Sequence, residues 1–120
     1  AGRGRIVSIA SDAGRVGSSG EAVYSAAKGG IIALMKTLAR EHARQGITFN
    51  SVCPGPTDTP LLESFDETGR LAEALTRAIP MRRLGQPEDF PGVVAMFLSD
   101  DSAFITGQTI SVSGGLSMHG

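Results

Sequence analysis

The chain has 120 residues, of which 41% are hydrophobic and 19% are charged, and its formal net charge is −1. This composition is that of an ordinary globular domain, and it has no basic excess that would point to nucleic acid. The longest apolar stretch, near 31–35, is far shorter than the about 20 residues that a membrane span needs. We therefore expect a cytoplasmic protein that binds neither nucleic acid nor membrane.

Cysteine and histidine give no sign of a metal site. The single cysteine, Cys53, excludes an internal disulfide and is predicted to be a small buried thiol at the end of a strand. His42 and His119 have no companion at metal-ligand spacing. No metal is therefore expected in this chain.

The predicted elements alternate between strands and helices, and several glycines and prolines mark the ends between them. Short runs rich in Ile and Val without clean alternation favour strands covered on both faces, and apolar residues at helical spacing favour helices. In chain order the sequence predicts a strand over 5–10, a glycine-rich loop over 12–21, a helix over 24–44, a strand over 47–52, a polar helical excursion over 61–78, a helix over 87–99 and a strand over 109–112. Strands joined through helices pair in parallel, so the fold class is α/β, with three strands and flanking helices forming half of a doubly wound, Rossmann-like sheet.

Three polar residues stand where they can serve one reaction. Tyr24 and Lys28 lie four residues apart at the head of the Ala-rich helix, and Ser11 follows the first strand. Residues at i and i+4 share a helix face, so the Lys28 ammonium can stabilise the Tyr24 phenolate. With Ser11 bonded to the same substrate oxygen, this set can protonate an alkoxide as it forms or deprotonate an alcohol.

Four sequence blocks in order extend this pattern over nearly the whole chain. They are 4–11 with the serine, 24–30 with Tyr24-Ser-Ala-Ala-Lys28, 50–59 with Pro54-Gly55-Pro-Thr-Asp-Thr59, and the tail segments 105–108 and 112–115. On these blocks the chain resembles the short-chain dehydrogenase/reductase family, in its form with a Y-x-x-x-K active site. A lone Y-x-x-x-K would be a weak signal, whereas the four blocks together are specific.

The resemblance implies a role for each matching residue. Tyr24 would be the general acid/base, Lys28 would assist it and bind the nicotinamide ribose, and Ser11 would orient the substrate carbonyl. The segment 54–59 would pack on the nicotinamide, where a small residue permits close backbone approach, although a simple turn is the alternative for it. The implied catalytic residues are Ser11, Tyr24 and Lys28, and the implied cofactor-binding residues are Tyr24, Lys28, Pro54, Gly55, Thr57 and Thr59.

The implied activity is NAD(P)-dependent interconversion of a hydroxyl and a ketone. The phrases around Ser11 and the ending 111–118 suggest a hydroxyacyl-CoA substrate such as 2-hydroxycyclohexanecarboxyl-CoA, with NAD as the cofactor. NADP stays open, because the acid or arginine that distinguishes the two lies outside the matched blocks. The alternative substrate is a 3-oxoacyl-[acyl-carrier-protein], reduced with NADPH. The segments 12–21 and 61–78 are expected to flank the reacting oxygen and to select the substrate.

The resemblance also implies how the chain is organised. Residues 1–120 would be the C-terminal catalytic half of a single Rossmann-type domain, because the Gly-rich turn that holds the pyrophosphate does not occur in this sequence. The chain alone is then expected to be inactive without the N-terminal half. Homo-oligomers, dimers or tetramers, are expected through the helix over 24–44. A further hypothesis is that the chain acts only as an association module, since its first strand would leave an uncovered edge and apolar surface.

Three further residues are expected to act in structural contacts. Ser8 and Ser113 depart from the asparagine and the aspartate that are common at these family positions, and both keep a polar group. Arg83 matches a position that is usually engaged in structural ion pairing. We therefore expect altered neighbouring contacts at the two serines and an ion pair at Arg83.

Overall fold

The structure is a computed structural model that describes residues 3–119. Its elements follow the alternating order expected from the sequence. They are β1 (Gly4–Ile9), α1 (Asp12–Val16), α2 (Ala22–His42), β2 (Ile47–Pro54), α3 (Pro60–Phe65), α4 (Arg70–Ala78), α5 (Pro91–Leu98) and β3 (Thr109–Val112), with short 3-10 turns at Ala43–Gln45, Pro87–Asp89 and Asp100–Ser102. None of the helices between residues 3 and 119 has the length and apolar character of a membrane-spanning helix.

The three strands form one parallel sheet in the order β1-β2-β3. Ile6 of β1 lies opposite Phe49 of β2, and Cys53 of β2 lies opposite Ser111 of β3. The central strand β2 is buried at six consecutive positions, as expected for a strand covered on both faces, although three of these positions are polar. The α/β fold with a three-stranded parallel sheet, predicted from the sequence, is confirmed.

Helices cover both faces of this sheet. Side chains alternate along a strand, and positions an odd number of residues apart point to opposite faces. Ala10, which follows β1, packs with Ile32 of α2, whereas Arg5 on the opposite face donates a hydrogen bond to the Ser99 carbonyl after α5. The main core lies under α2, where Met35 and Ala39 meet Phe49. The arrangement is doubly wound, as expected.

One buried amide connects the central strand to the approach of β3. Asn50 is fully buried in β2, and its side chain donates to the Ile105 carbonyl at 3.0 Å and accepts from the Gln108 amide at 3.1 Å. A buried amide must be paired to avoid a desolvation cost, and here the pairing fixes the loop 105–108. This loop leads into β3, which pairs with β2.

One sequence-based expectation about the segments after the strands is wrong, and another is confirmed. The segment 12–21 begins as the helix α1 and not as a loop, because the Ser11 hydroxyl caps its first turn. The helical excursion over 61–78 is present and consists of α3 and α4, because Asp66 ends α3 and its carboxylate accepts the Leu71 and Ala72 amides at the start of α4. Both features follow from capping by short polar side chains.

The ion pair expected at Arg83 is present. Arg83 forms a bidentate ion pair with Asp89, with Nη1–Oδ2 and Nη2–Oδ1 distances of 2.7 and 3.0 Å. These hydrogen bonds from Arg83, with a further one from the Gln86 amide, lower the pKa of Asp89 to about 2. Ser8 on β1 shares a hydrogen bond of 2.8 Å with Ser51 on β2.

Candidate active site

A groove of about 920 Å³ opens at the carboxyl ends of the strands, which is where ligands sit in parallel sheets of this kind. It is bordered by the segment after β1, the start of α2, the segment after β2, the helices α3 and α4, and the residues after β3. The lining residues are Ser11, Asp12, Ala13, Val16, Gly17, Ser18, Glu21, Tyr24, Pro54, Gly55, Pro56, Leu61, Phe65, Leu75, Leu116, Ser117, Met118 and His119.

Ser11 reaches the groove from the N-cap of α1. Its backbone is extended, with φ −163° and ψ 150°, and its Oγ accepts a hydrogen bond from the Ala13 amide at 3.2 Å. A serine hydroxyl has one proton and two acceptor sites. The cap uses one acceptor site, so the proton of Ser11 is free to be donated to a ligand in the groove.

Tyr24 and Lys28 lie side by side on the first turns of α2. The Lys28 Nζ is 5.7 Å from the centroid of the Tyr24 ring and donates to the Ile9 carbonyl at 3.4 Å. Ile9 is the last residue of β1, so the lysine is held against the strand end that precedes Ser11. Tyr24 is 46% exposed and borders the same groove as Ser11. The structure therefore brings together the three residues singled out in the sequence.

Two glycines set the distance between the helices that carry these residues. A Cβ atom on Gly14 of α1 would lie 2.6 Å from the Gly29 nitrogen and the Lys28 carbonyl carbon in α2. A Cβ on Gly29 would lie 3.1 Å from the Gly14 oxygen. Any larger residue would separate α1 from α2, so the glycine pair fixes how Ser11 stands relative to Tyr24.

The segment 54–59 forms a turn whose backbone is partly free for a ligand. The Gly55 amide donates to the Val112 carbonyl, and a Cβ on Gly55 would lie 2.8 Å from the Ser113 Cβ. The Thr57 hydroxyl donates to the Gly55 carbonyl, and the Thr59 hydroxyl caps α3. Between residues 3 and 119, the Thr57 and Thr59 amides make no hydrogen bond to a protein acceptor. These two amides can bind an acceptor group such as a carboxamide oxygen.

Cys53 is a buried structural thiol, as the sequence predicted. Its side chain is fully buried in β2, and burial followed by the nearby Asp12 charge raises its pKa. A thiol with a raised pKa stays protonated and is a poor nucleophile. Within the described residues, no three histidine, cysteine or acidic side chains are grouped as metal ligands.

Two features of the groove were missed from the sequence. The residues 116–119 line it after β3, and the carboxylate of Asp12 lies beside Ser11 and bonds to residues near the other end of the chain. The two segments thought to flank the reacting oxygen, 12–21 and 61–78, do border the groove. Sequence periodicity carries no signal for contacts such as those of Asp12, because their partners lie about a hundred positions away.

Comparisons with known proteins agree with this geometry. Residues 1–117 match the family model described as "Enoyl-(Acyl carrier protein) reductase". The chain is similar to the (3R)-3-hydroxyacyl-CoA dehydrogenase of Rattus norvegicus, with 44% identity over 117 residues that make up 98% of the chain and 44% of the relative. It is also similar to a 3-oxoacyl-[acyl-carrier-protein] reductase of Synechocystis, with 44% identity over 96% of the chain and 45% of the relative.

A solved crystal structure is also similar to this chain. The crystal structure of an actinorhodin polyketide ketoreductase with NADPH matches with a TM-score of 0.90 and 39% identity, over 96% of the chain and 48% of that protein. The chain thus spans about half the length of the relatives it matches.

Proposed function

The chain belongs to the short-chain dehydrogenase/reductase family, and on this premise we propose that it carries the catalytic residues of an NAD(P)-dependent oxidoreductase that interconverts a hydroxyl and a ketone. The observation that supports this proposal is the shared groove of Ser11 and Tyr24, with the Lys28 ammonium 5.7 Å from the tyrosine ring. The three side chains have the chemistry that proton transfer at a carbonyl oxygen requires.

In the proposed mechanism, Tyr24 moves the proton. Its phenol protonates the substrate oxygen as the ketone is reduced, and its phenolate accepts the proton when an alcohol is oxidised. The positive charge of Lys28 stabilises the phenolate. Ser11 donates a hydrogen bond to the same oxygen and stabilises the charge that develops there. A bound nicotinamide would supply or accept the hydride.

The residues after β2 suit a nicotinamide. The free Thr57 and Thr59 amides can bind its carboxamide, and the turn at Pro54 and Gly55 presents backbone to the groove. Lys28, partly buried beside β1, would reach the ribose hydroxyls. The proposed cofactor-binding residues are Tyr24, Lys28, Pro54, Gly55, Thr57 and Thr59.

The proposed substrate is a hydroxyacyl-CoA with an apolar acyl group, such as 2-hydroxycyclohexanecarboxyl-CoA. In its support, no lysine or arginine lines the groove within the described chain, and one side of it carries Leu61, Phe65 and Leu75. Such a surface favours a neutral apolar group over a free carboxylate. The rat relative is named as a hydroxyacyl-CoA dehydrogenase, and NAD is the proposed cofactor.

A second candidate is a 3-oxoacyl-[acyl-carrier-protein] reductase that uses NADPH. The Synechocystis relative carries that name, and the matched ketoreductase structure contains NADPH. Both candidates share the same proposed roles for Ser11, Tyr24 and Lys28, so they differ in the carrier and in the dinucleotide.

We also propose that residues 1–120 form the C-terminal catalytic half of one Rossmann-type domain. In support, Ile6 and Ile9 on the edge strand β1 are 45% and 50% exposed, and relatives extend to about twice this length. A partner segment would cover this apolar edge. It stays a prediction that the chain alone is inactive, that it forms homo-oligomers and that it is located in the cytoplasm.

Turnover of defined substrates tests the proposed function. The full-length enzyme, in which residues 1–120 are joined to the proposed N-terminal half, is mixed with NADH or NADPH and with the 2-oxocyclohexanecarboxyl-CoA ketone, acetoacetyl-CoA or an acetoacetyl acyl carrier protein, and nicotinamide absorbance is followed. We expect the highest kcat/KM with a CoA thioester and NADH. Preference for the carrier protein and NADPH would establish the second candidate, and no turnover of any of these ketones would reject the oxidoreductase proposal.

A further inference from the structure

Asp12 is a buried carboxylate that the proposed chemistry does not use. It directly follows Ser11, yet it is only 8% exposed. Burial of a charged group is costly unless the group is well paired. The partners of Asp12 should therefore reveal why a carboxylate is placed next to the catalytic serine.

Both oxygens of Asp12 are bonded to residues near the C-terminal end. Oδ1 accepts a hydrogen bond from the Ser111 hydroxyl of β3 at 2.6 Å, and Oδ2 accepts one from the Ser117 hydroxyl at 2.5 Å. Short bonds from hydroxyls to a carboxylate are charge-assisted and strong. They connect α1 to β3 and to the segment beyond it.

A second layer of bonds supports the carboxylate. Arg15 donates to the Ser111 hydroxyl and to the Thr109 carbonyl, each at 3.1 Å, and so places a positive charge behind Ser111. The Ser113 hydroxyl accepts the Ser117 amide at 3.2 Å, which closes the segment into a loop. Networks of this kind order the groups that they join.

Helix capping does not explain why the carboxylate of Asp12 is buried. The cap of α1 is Ser11, whose hydroxyl accepts the Ala13 amide, while both oxygens of Asp12 point to residues far along the chain. The network instead ends at residues 116–119, which line the groove from the side of β3. We call residues 116–119 the C-terminal wall.

We propose that Asp12 is a positioning residue that fastens the C-terminal wall to the helix of the catalytic serine. Leu116 and Met118 of this wall present apolar surface to the groove, with exposures of 40% and 79%. Their position relative to Ser11 depends on the bond between Asp12 and Ser117. Asp12 therefore governs how tightly the acyl group of the substrate is held, and this step relies on the proposed function.

Paired substitutions at the two ends of this bond test the proposal. Asp12→Ala and Ser117→Ala should each raise the KM for the acyl substrate about tenfold and change kcat by less than about threefold, because binding and not chemistry is weakened. The double variant should be no worse than Asp12→Ala alone, since Asp12→Ala already lacks the bond to Ser117. Asp12→Asn, which keeps two polar atoms, should restore most of the affinity. Asp101→Ala, an exposed acid elsewhere, serves as the matched control.

Hydrogen exchange supplies a readout that needs no turnover. The Leu116 and Ser117 amides are bonded to the carbonyl and the hydroxyl of Ser113. In Asp12→Ala and Ser117→Ala they should exchange about tenfold faster than in Asp101→Ala, because the wall is released. Unchanged exchange at these amides, or additive losses in the double variant, would overturn the proposal even if the proposed reaction were correct.

Discussion

The two sides of the groove differ in how tightly they are packed. The inner side consists of α1 and the first turns of α2, which meet so closely that Gly14 and Gly29 leave no room for a Cβ atom. The outer side consists of α3 and α4, which bury none of their residues fully. Phe65 on the outer side is 61% exposed although it faces the groove.

This difference matches a division of tasks. The residues proposed for chemistry, Ser11, Tyr24 and Lys28, are on the inner side, where packing fixes their relative positions. The residues proposed to contact the acyl group are on the outer side, where few buried contacts restrain them. Changes on the outer side are therefore expected to alter substrate choice, and changes on the inner side to alter turnover.

Removing the Tyr24 hydroxyl should give the largest effect. We expect Tyr24→Phe to lower kcat by about 10²–10⁴-fold, the usual contribution of a general acid/base. The melting temperature should stay the same, because the side chain is nearly half exposed. Steady-state kinetics and thermal unfolding check both parts. A kcat within about tenfold of the parent would place the proton transfer elsewhere.

A matched pair of phenylalanines sharpens the contrast in stability. Phe49 is 5% exposed under α2, and Phe49→Ala should cost about 3–5 kcal/mol of unfolding free energy. Phe65→Ala on the outer side should cost less than about 0.5 kcal/mol and should instead raise the KM for the acyl substrate. Urea unfolding and steady-state kinetics measure the two effects. Similar losses of stability in both variants would show that the outer side is packed as firmly as the core.

A pair of glycines in neighbouring elements tests the close crossing of the helices. Gly14→Ala should destabilise the protein by about 1–3 kcal/mol and slow turnover, because α1 must move away from α2. Gly30→Ala, where a Cβ would meet nothing within 4 Å, should stabilise it by about 0.5–1 kcal/mol. Thermal unfolding and kcat distinguish them. Equal behaviour of the two variants would contradict the proposed control of the Ser11 position.

The ion pair between Arg83 and Asp89 is expected to have the smallest effect on stability. It lies close to Gly85, whose backbone hydrogen-bonds to Pro56 and Asp58 in the turn after β2. Arg83 holds the pKa of Asp89 at about 2. An unfolded aspartate has a pKa of about 3.9. The stabilisation by this pair is therefore present above that value and is lost as pH falls towards 2.

Arg83→Ala measures this contribution. Its urea midpoint should lie slightly below that of the parent at about pH 7, and the gap should close at about pH 2, where Asp89 is half protonated. Arg44→Ala, an exposed residue elsewhere, is the control. A gap that stays constant over this range would mean that Arg83 acts through some other contact.

The strands and the long helix were predictable because they depend on local patterns. A run of Ile and Val predicted β1, and the segment between Gly46 and Pro54 predicted β2, to within one or two residues at their ends. The apolar spacing of Ile31 and Leu38 predicted α2. The candidate chemistry was also local, since Tyr24 and Lys28 share one helix face. Short-range physics was sufficient for these features.

The remaining features depend on specific side-chain contacts that local sequence patterns do not indicate. Gly14 suggested a loop, yet it lies inside α1, where its small size permits the crossing with Gly29. The break at Asp66 depends on a side chain that accepts two amides of the next helix. The bonds of Asp12 to Ser117 join residues 105 positions apart, and no periodicity indicates them.

A crystal structure of the enzyme with its nicotinamide cofactor and a ketone substrate would show directly whether Tyr24 and Ser11 act on one oxygen. We expect the Tyr24 hydroxyl and the Ser11 Oγ both to lie about 3 Å from the substrate oxygen. We also expect the Lys28 ammonium to stay beside the tyrosine. A bound ketone whose oxygen contacts neither hydroxyl, or a tyrosine turned away from the groove, would rule out the proposed proton transfer.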